Sequence, residues 1–363
     1  MRISPAKRAL GALVLTALLA AACGGSDDNG NTTTAAGAGD CPSPDPATPL
    51  TLTLAAYSTP REVYGKIIPA FQALWKEDHD DQQVIFQESY GGSTTQSQNV
   101  VNGFKADVVA LSLAPDVDAI ADAGLITHDW TDAPDKGMVS SSVVAFDVRP
   151  GNPKGLEDFD DLAQPGVEVL TPDPAQSGGA RWNIVGAFGA SLEGYAGGKK
   201  GDEAAAGELL KGIFSNVTVL DKSARDSIKN FETGNGDVAI TYENEIRTAQ
   251  DAGLEDEMVI PPATVLIENP VAVVDENVDE HCVRDVAEAF VDYLHTQEAK
   301  ELYTTVGFLR STDAAEAAKG SDDFPAIKDL FTVDDLGGWD TINDKVFGEP
   351  DGIFTKAFAE AQG

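Results

Sequence analysis

From residue 50 onward, short apolar runs alternate with longer stretches in which apolar side chains recur every three or four positions. Leu50-Thr51-Leu52-Thr53-Leu54-Ala55 alternates with a period of two, which puts every second side chain on one face of a strand. Arg61 to Lys76 carries Val63, Ile67, Ile68, Phe71, Leu74 and Trp75 at helical spacing, with Pro69 set to interrupt or kink the helix. Gln83–Gln87 and Asp107–Leu111 predict two more strands, with a helix over 95–104 between them. Further strands are predicted near 143–147, 167–170, 216–220, 237–241 and 264–274. Helices are predicted at 180–192, 202–213, 225–232, 243–251 and 284–304. Strands alternating with helices predict an α/β protein with mostly parallel sheet. The tail, 318–363, is polar and partly helical, carries Trp339 after Gly337-Gly338, and is expected along the outside of one domain.

The N-terminus departs from this pattern. Arg2, Lys7 and Arg8 precede an apolar run from Ala9 to Ala22, shorter than the roughly 20 residues of a comfortable membrane span. This is the layout of an export signal over residues 1–22. Leu19-Ala20-Ala21-Ala22-Cys23 resembles a bacterial lipobox, which implies lipidation of Cys23 and an anchor on the outer face of the cytoplasmic membrane. Residues 23–49 are rich in Gly, Ser, Thr, Asp and Ala, too polar to fold alone, and read as a flexible tether. Export matters for the two remaining cysteines, because Cys41 and Cys282 can oxidise outside the cytoplasm. A bridge between them is favoured over two free thiols.

Charge narrows the partners. The chain has 60 acidic and 25 basic residues, a formal charge of −35. Polyanions are repelled by such a surface, so nucleic acid is excluded as a partner, and so is electrostatic docking on anionic lipid heads. The lipid anchor is the one expected membrane contact. Asp78-His79-Asp80-Asp81 and Asp279-Glu280-His281-Cys282 read as surface charge, since no spaced third metal ligand is evident. Gly194 to Lys200 lacks the spacing of a phosphate-binding loop, and no G-x-S-x-G elbow occurs. No catalytic residue, metal or cofactor is expected, and an enzyme is disfavoured.

Three Gly/Ser-rich turns each follow a predicted strand and open a predicted helix. They are Ser89-Tyr90-Gly91-Gly92-Ser93-Thr94-Thr95, Pro174-Ala175-Gln176-Ser177-Gly178-Gly179-Ala180 and Lys222-Ser223-Ala224-Arg225-Asp226-Ser227. Helix N-termini carry unsatisfied N–H groups and partial positive charge. Glycine lets a ligand approach the backbone, and serine adds a hydroxyl donor. Such turns hold anions without a cationic side chain. Taken singly each is also an ordinary helix cap, and pattern does not show whether the three meet.

At these residues the chain resembles the bacterial sulfate/thiosulfate-binding proteins, which deliver an anion to an ABC importer. The resemblance runs from Leu52 to about Thr355. It is carried by Ala56-Tyr57-Ser58-Thr59-Pro60-Arg61-Glu62, Gly91-Gly92-Ser93, Ala106-Asp107-Val108-Val109 and Asp116-Val117-Asp118-Ala119-Ile120-Ala121. Val148 to Lys154, Thr171-Pro172-Asp173-Pro174 and Ser177 to Asn183 follow in order. Val219-Leu220-Asp221, Ala224-Arg225, Gly236-Asp237-Val238, Glu243-Asn244-Glu245 and Gly337-Gly338-Trp339 complete the set. The resemblance implies a two-lobed class II periplasmic binding protein fold with a hinge and an interlobe cleft. Lobe one is expected from 50–142 plus 264–363, and lobe two from 143–263.

The resemblance also implies the ligand contacts. These are Ser93 (backbone and hydroxyl), the Ser177 hydroxyl and the backbone N–H of Gly178, Gly179 and Ala224. Tyr242 stands where the family has a tryptophan donor, and Ser58 where it often has an aspartate. Gly92, Thr94, Arg181 and Arg225 are expected beside the site, with Glu243 and Glu245 facing away or paired with Arg181 or Arg225. Sulfate carries no proton and wants only donors, so a pocket without a carboxylate suits it better than hydrogen phosphate. With no titrating group in contact, binding is expected to vary little between about pH 5 and 9. Partners implied are sulfate or thiosulfate and a permease with a separate ATPase, for a monomeric binding protein. Molybdate as ligand, and an anion sensor in place of a transport component, are the other readings of the same fold.

Overall fold

The structure is a computed structural model that describes residues 41, 45–321 and 324–362. The expected export signal, Cys23 and most of the expected tether lie outside the described residues. The strands are β1 (Leu50–Tyr57), β2 (Val84–Gly91), β3 (Val108–Ala110), β4 (Met138–Val148), β5 (Val169–Pro172), β6 (Val217–Asp221), β7 (Val238–Tyr242), β8 (Glu257–Val259), β9 (Ala263–Val273) and β10 (Asp329–Phe331). The order is β2-β1-β3-β9-β4-β7-β5-β6, with β8 on β4 and β10 on β9.

Two parallel groups flank two long crossing strands. β1 pairs in parallel with β2 and β3, and β5 pairs in parallel with β6 and β7. β9 runs antiparallel to β3 through Val271–Val273 and to β4 through Leu266–Pro270. β4 changes partner between Val143, which faces β9, and Val144, which faces β7. Each group is covered on both faces, as parallel sheets require. In β3, Val108 and Ala110 join one apolar cluster with Leu52, Leu54, Phe71 and Phe290, while Val109 joins another with Ala55, Ile120 and Trp130. In β7, Val238 and Ile240 face a cluster with Phe146, Trp182 and Phe214, and Ala239 faces Ile228 and Phe231.

Several boundaries differ from the pattern-based expectation. β4 begins at Met138 because Ser140, Ser141 and Ser142 are buried strand residues despite their polarity. The Ser142 hydroxyl is satisfied by Asn244 Oδ1 at 2.9 Å. A helix Ala114–Asp122, unpredicted, follows β3. The helix Arg61–Asp78 runs through Pro69 unbroken. The expected helix over 284–304 is two, Arg284–Leu294 and Gln297–Thr305, because the Thr296 hydroxyl caps the second by accepting from Ala299 N–H at 3.3 Å.

The C-terminal segment, expected with the first lobe, shares an apolar cluster with residues of 143–263. Phe331, Ile342, Val346 and Phe354 lie in the cluster of Phe146, Trp182 and Phe214. Trp339 meets Trp182 with ring centroids 4.9 Å apart, and Phe354 meets Phe214 at 4.9 Å. Burial of large aromatic rings, at about 1.5–3 kcal/mol each, outweighs the polar average of the segment. Cys41 and Cys282 are joined in a disulfide with Cα atoms 5.4 Å apart. Neither charged patch gathers into a cluster: His79 stacks on Trp75, and His281 Nδ1 lies 2.7 Å from Asp107 Oδ1.

Asp147, in β4, is fully buried and neither carboxylate oxygen has a hydrogen-bond partner. Burial pushes its pKa from 3.8 up to about 8, with Asp256 adding to the shift and Arg149 opposing it. A folded value above the unfolded one means that the native state binds this proton more tightly. Its stabilising contribution is complete below about pH 4 and is lost as pH rises towards and through about 8. Asp147→Asn is expected to flatten that part of the decline in a pH series of chemical-denaturation midpoints. An unchanged slope would show that Asp147 is not its source.

Candidate functional site

The three Gly/Ser-rich turns meet. They open the helices Ser93–Val101, Gly178–Leu192 and Ala224–Glu232, whose first turns come together at the carboxyl ends of β2, β5 and β6. Between them lies a small cavity of about 10 Å³. Its lining is Tyr57, Ser58, Thr59, Gly91, Gly92 and Ser93 from one side, Ser112 from the end of β3, and Ser177, Gly179, Ala224 and Tyr242 from the other. No lining residue carries a charge. So small a space excludes a sugar or a peptide. Tyr57 OH and Thr59 Oγ1 are buried and have no hydrogen-bond partner in the protein, which leaves both free to meet a ligand.

Of the residues expected at the site, Ser58, Gly92, Ser93, Ser177, Gly179, Ala224 and Tyr242 line this cavity. Gly178 does not. It sits against Ser112, whose Oγ would lie 2.8 Å from a Cβ at that position. Gly92 is where the two sides come closest, since an added Cβ would clash with the backbone oxygens of Gln176 and Lys222. The Thr94 hydroxyl turns to Asp116 Oδ2 at 3.3 Å. Arg181 donates to Asn343 at 2.8 Å and lies over the Phe347 ring. Arg225 donates to Glu245 at 2.7 Å and to Glu62 at 2.5 Å, joining the helix after β6 to the helix after β1. Glu243 pairs not with Arg181 or Arg225 but with buried Arg310, at 2.5 Å. A wider cleft, lined by Leu50, Thr51, Phe104, Lys105 and His281, lies at the opposite end of β1 and mixes apolar surface with charge.

The hydrogen bonds behind the cavity change one expectation. Ser93 Oγ donates to Asp116 Oδ2 at 2.5 Å and accepts from the Ser112 N–H at 2.9 Å. A hydroxyl has one proton. While Asp116 is ionised that proton is committed, so Ser93 offers the cavity its first-turn backbone N–H and not its hydroxyl. Asp116 is buried, which raises its pKa from 3.8 to about 6 against the pull of Ser93, Arg181 and Thr94. Ser112 is fixed at its carbonyl by Trp182 Nε1 at 2.7 Å and Asn269 Nδ2 at 3.3 Å. Its hydroxyl lies 2.6 Å from the Tyr242 hydroxyl, either atom able to donate. Burial holds the Tyr242 phenol far above its ordinary pKa, so it keeps its proton.

Neutral donors at converging helix starts make an anion site. The sequence agrees with a family of that kind. A family model described as bacterial extracellular solute-binding protein matches residues 52–309. The chain belongs to the bacterial extracellular solute-binding proteins. A sulfate-binding protein from Synechococcus elongatus is 41% identical over 335 residues, covering 92% of this chain and 91% of that protein. A thiosulfate-binding protein from Pseudomonas aeruginosa is 35% identical over 310 residues, covering 84% and 91%. Among solved structures, the sulfate-binding protein SubI from Mycobacterium tuberculosis superposes with a TM-score of 0.72 at 36% identity, covering 81% of this chain and 98% of that one. The two-lobed α/β fold of periplasmic binding proteins is therefore the fold of this chain.

In this solute-binding protein the cavity wall and the layer behind it include residues that the sequence pattern did not single out. Ser112 ends an apolar strand run and Asp116 sits in a quoted motif, but neither carries a local signal of its position behind the turns. A polar residue directly after a buried strand is the signal that was available. Asp116 gives a reason to expect pH-dependent binding in place of a flat profile. Below about pH 6 it is protonated, loses its charge and can donate to Ser93 Oγ, which frees the Ser93 proton for the cavity. Affinity for a fully ionised anion is expected to rise several-fold as pH falls from about 8 to 5. Asp116→Asn is expected to hold affinity near the low-pH value throughout, read by titration calorimetry across that range. A flat wild-type profile would count against this role.

Proposed function

We propose that this solute-binding protein captures sulfate between its lobes and delivers it to an ABC importer. The observation that carries the reading is the cavity with neutral donors on every side and no charged lining residue. The proposed contacts are the backbone N–H groups of Ser93, Gly179 and Ala224, the Ser177 hydroxyl and the Tyr242–Ser112 corner, with Ser58 and Thr59 at the rim. Gly178 acts by close packing against Ser112 and leaves the contact to its neighbours. Donors from both sides give the closed form the higher affinity, so the ligand shifts the population towards it. The closed form then docks on a permease served by a separate ATPase.

Lobe one is read as β1–β3 with the outer half of β9 and the helices that follow it. Lobe two is read as 143–263 together with the C-terminal segment from about Asp329, on the strength of the shared apolar cluster. Thiosulfate is the second reading, favoured by the 35% identical Pseudomonas relative. Export by the N-terminal signal and a lipid on Cys23 place the protein outside the cytoplasmic membrane. Cys23→Ser is expected to release the protein from the membrane fraction into the soluble exported fraction, checked by fractionation and immunoblot.

Titration calorimetry of residues 24–363 with sulfate and thiosulfate tests the reading. One-to-one sulfate binding is expected, and Ser177→Ala is expected to weaken it several-fold, about the worth of one hydrogen bond to a charged group. Silence for both anions would overturn the proposal, and unchanged affinity in the variant would remove Ser177 from the site.

A further inference from the structure

The Tyr242–Ser112 corner differs from the rest of the lining. The other proposed contacts are backbone N–H groups, which can only donate, or single hydroxyls. Here two buried hydroxyls lie 2.6 Å apart, and both face the cavity. They hold two protons, and one of these must lie between the oxygens. One proton is left for the cavity, so the corner offers a ligand one O–H donor and not two.

The surroundings determine what the second oxygen can do. Asn269, which donates to the Ser112 carbonyl, lies beside the Tyr242 hydroxyl. The Asn269 carbonyl oxygen faces the Ser140 hydroxyl at 3.4 Å, so its amide nitrogen is the group on the Tyr242 side. When Ser112 donates to Tyr242, the phenol's own proton is left for the ligand. Ser112 Oγ then keeps lone pairs open to the cavity. Ser112 cannot retreat from this position, since Trp182, Asn269 and Ser93 fix its backbone and Gly178 packs against its side chain.

We infer that Ser112 is a specificity-determining residue of the proposed anion site. Through its bond with Tyr242 it presents an acceptor beside a donor, and so admits a tetrahedral oxyanion that carries a proton. The inference rests on the reading of the cavity as an oxyanion site and adds to it a ligand class, the hydrogen-bearing dianions. Sulfate uses the donor of the couple alone. Hydrogen phosphate uses both, its P–O–H donating to Ser112 Oγ and one of its other oxygens accepting from Tyr242. An all-donor corner would leave that proton facing a donor, at a cost of about tenfold or more in affinity.

The test is titration calorimetry with sodium sulfate and sodium phosphate at about pH 8, on wild type, Ser112→Ala, Tyr242→Phe and the double variant. Wild type is expected to bind hydrogen phosphate measurably, though more weakly than sulfate. Ser112→Ala is expected to cost phosphate about tenfold and sulfate about threefold or less, because Tyr242 still donates. For sulfate, the double variant is expected to lose more than the two single losses multiplied, since either hydroxyl can supply the one donor. Phosphate silence in the wild type, equal losses for the two anions in Ser112→Ala, or multiplicative sulfate losses would each overturn the inference and leave the sulfate reading intact. Silence for both anions in the wild type would overturn the site reading itself, and this inference with it. Should Tyr242→Phe fail to fold, Ser112→Ala removes a single oxygen and decides the phosphate-to-sulfate ratio alone.

Discussion

The unsatisfied N–H groups of helix starts are the constraint on which this site depends. A helix leaves its first four amide donors without partners, and each must find an acceptor. Parallel strands followed by helices bring those starts to one edge of a sheet, at the strands' carboxyl ends. Two such parallel groups in this chain leave three sets of donors around a small space. The first turns of Ser93–Val101, Gly178–Leu192 and Ala224–Glu232 meet in this way. The glycines at Gly92 and Gly178 allow the approach, because a methyl group at either position meets atoms of a neighbouring element.

The formal charge of −35 looks hostile to an anion. At the cavity it counts for little, because exposed charges beyond a Debye length of ~8 Å are largely screened. The nearby arginines are occupied elsewhere. Arg225 bridges Glu245 and Glu62, Arg310 is buried with Glu243, and Arg181 is held by Asn343 and the Phe347 ring. Dipoles therefore face the cavity while the arginine charges are engaged behind it, those of Arg225 and Arg310 in ion pairs. The buried carboxyl of Asp116 is the exception, and it couples to the lining through one serine hydroxyl.

Most of the fold could be read from the chain because apolar periodicity is a local property. β1 alternates as written, β7 stands where its strand was expected, and the turns that open the three helices announce themselves by Gly and Ser. The misreadings share a cause: burial decided by distant partners. Ser140, Ser141 and Ser142 belong to a strand because Asn244, Asn269 and the Ser311 carbonyl accept their hydroxyl protons. The C-terminal segment looks polar, yet Trp339 finds Trp182 and Phe354 finds Phe214. Five of the six expected ligand residues line the cavity, four from the turns themselves and Tyr242 from the end of β7. Ser112 and Asp116 escaped because their importance lies in what stands behind Ser93 and Tyr242, which spacing does not encode. Arg310 escaped likewise, its partner Glu243 being 67 positions away.

The disulfide bears on where force enters the molecule. Cys282 holds Cys41 beside the beginning of β1, whereas Tyr57 at the other end of that strand lines the cavity. The eight residues of β1 separate the two by roughly 25 Å at about 3.3 Å per residue. Tension on the chain ahead of Cys41 is thus taken up by a covalent crosslink into the helix-capping loop after His281, and not by unpeeling β1. The bridge works as a strain relief, and the strand that carries Tyr57, Ser58 and Thr59 to the cavity is mechanically insulated from whatever pulls on the N-terminus.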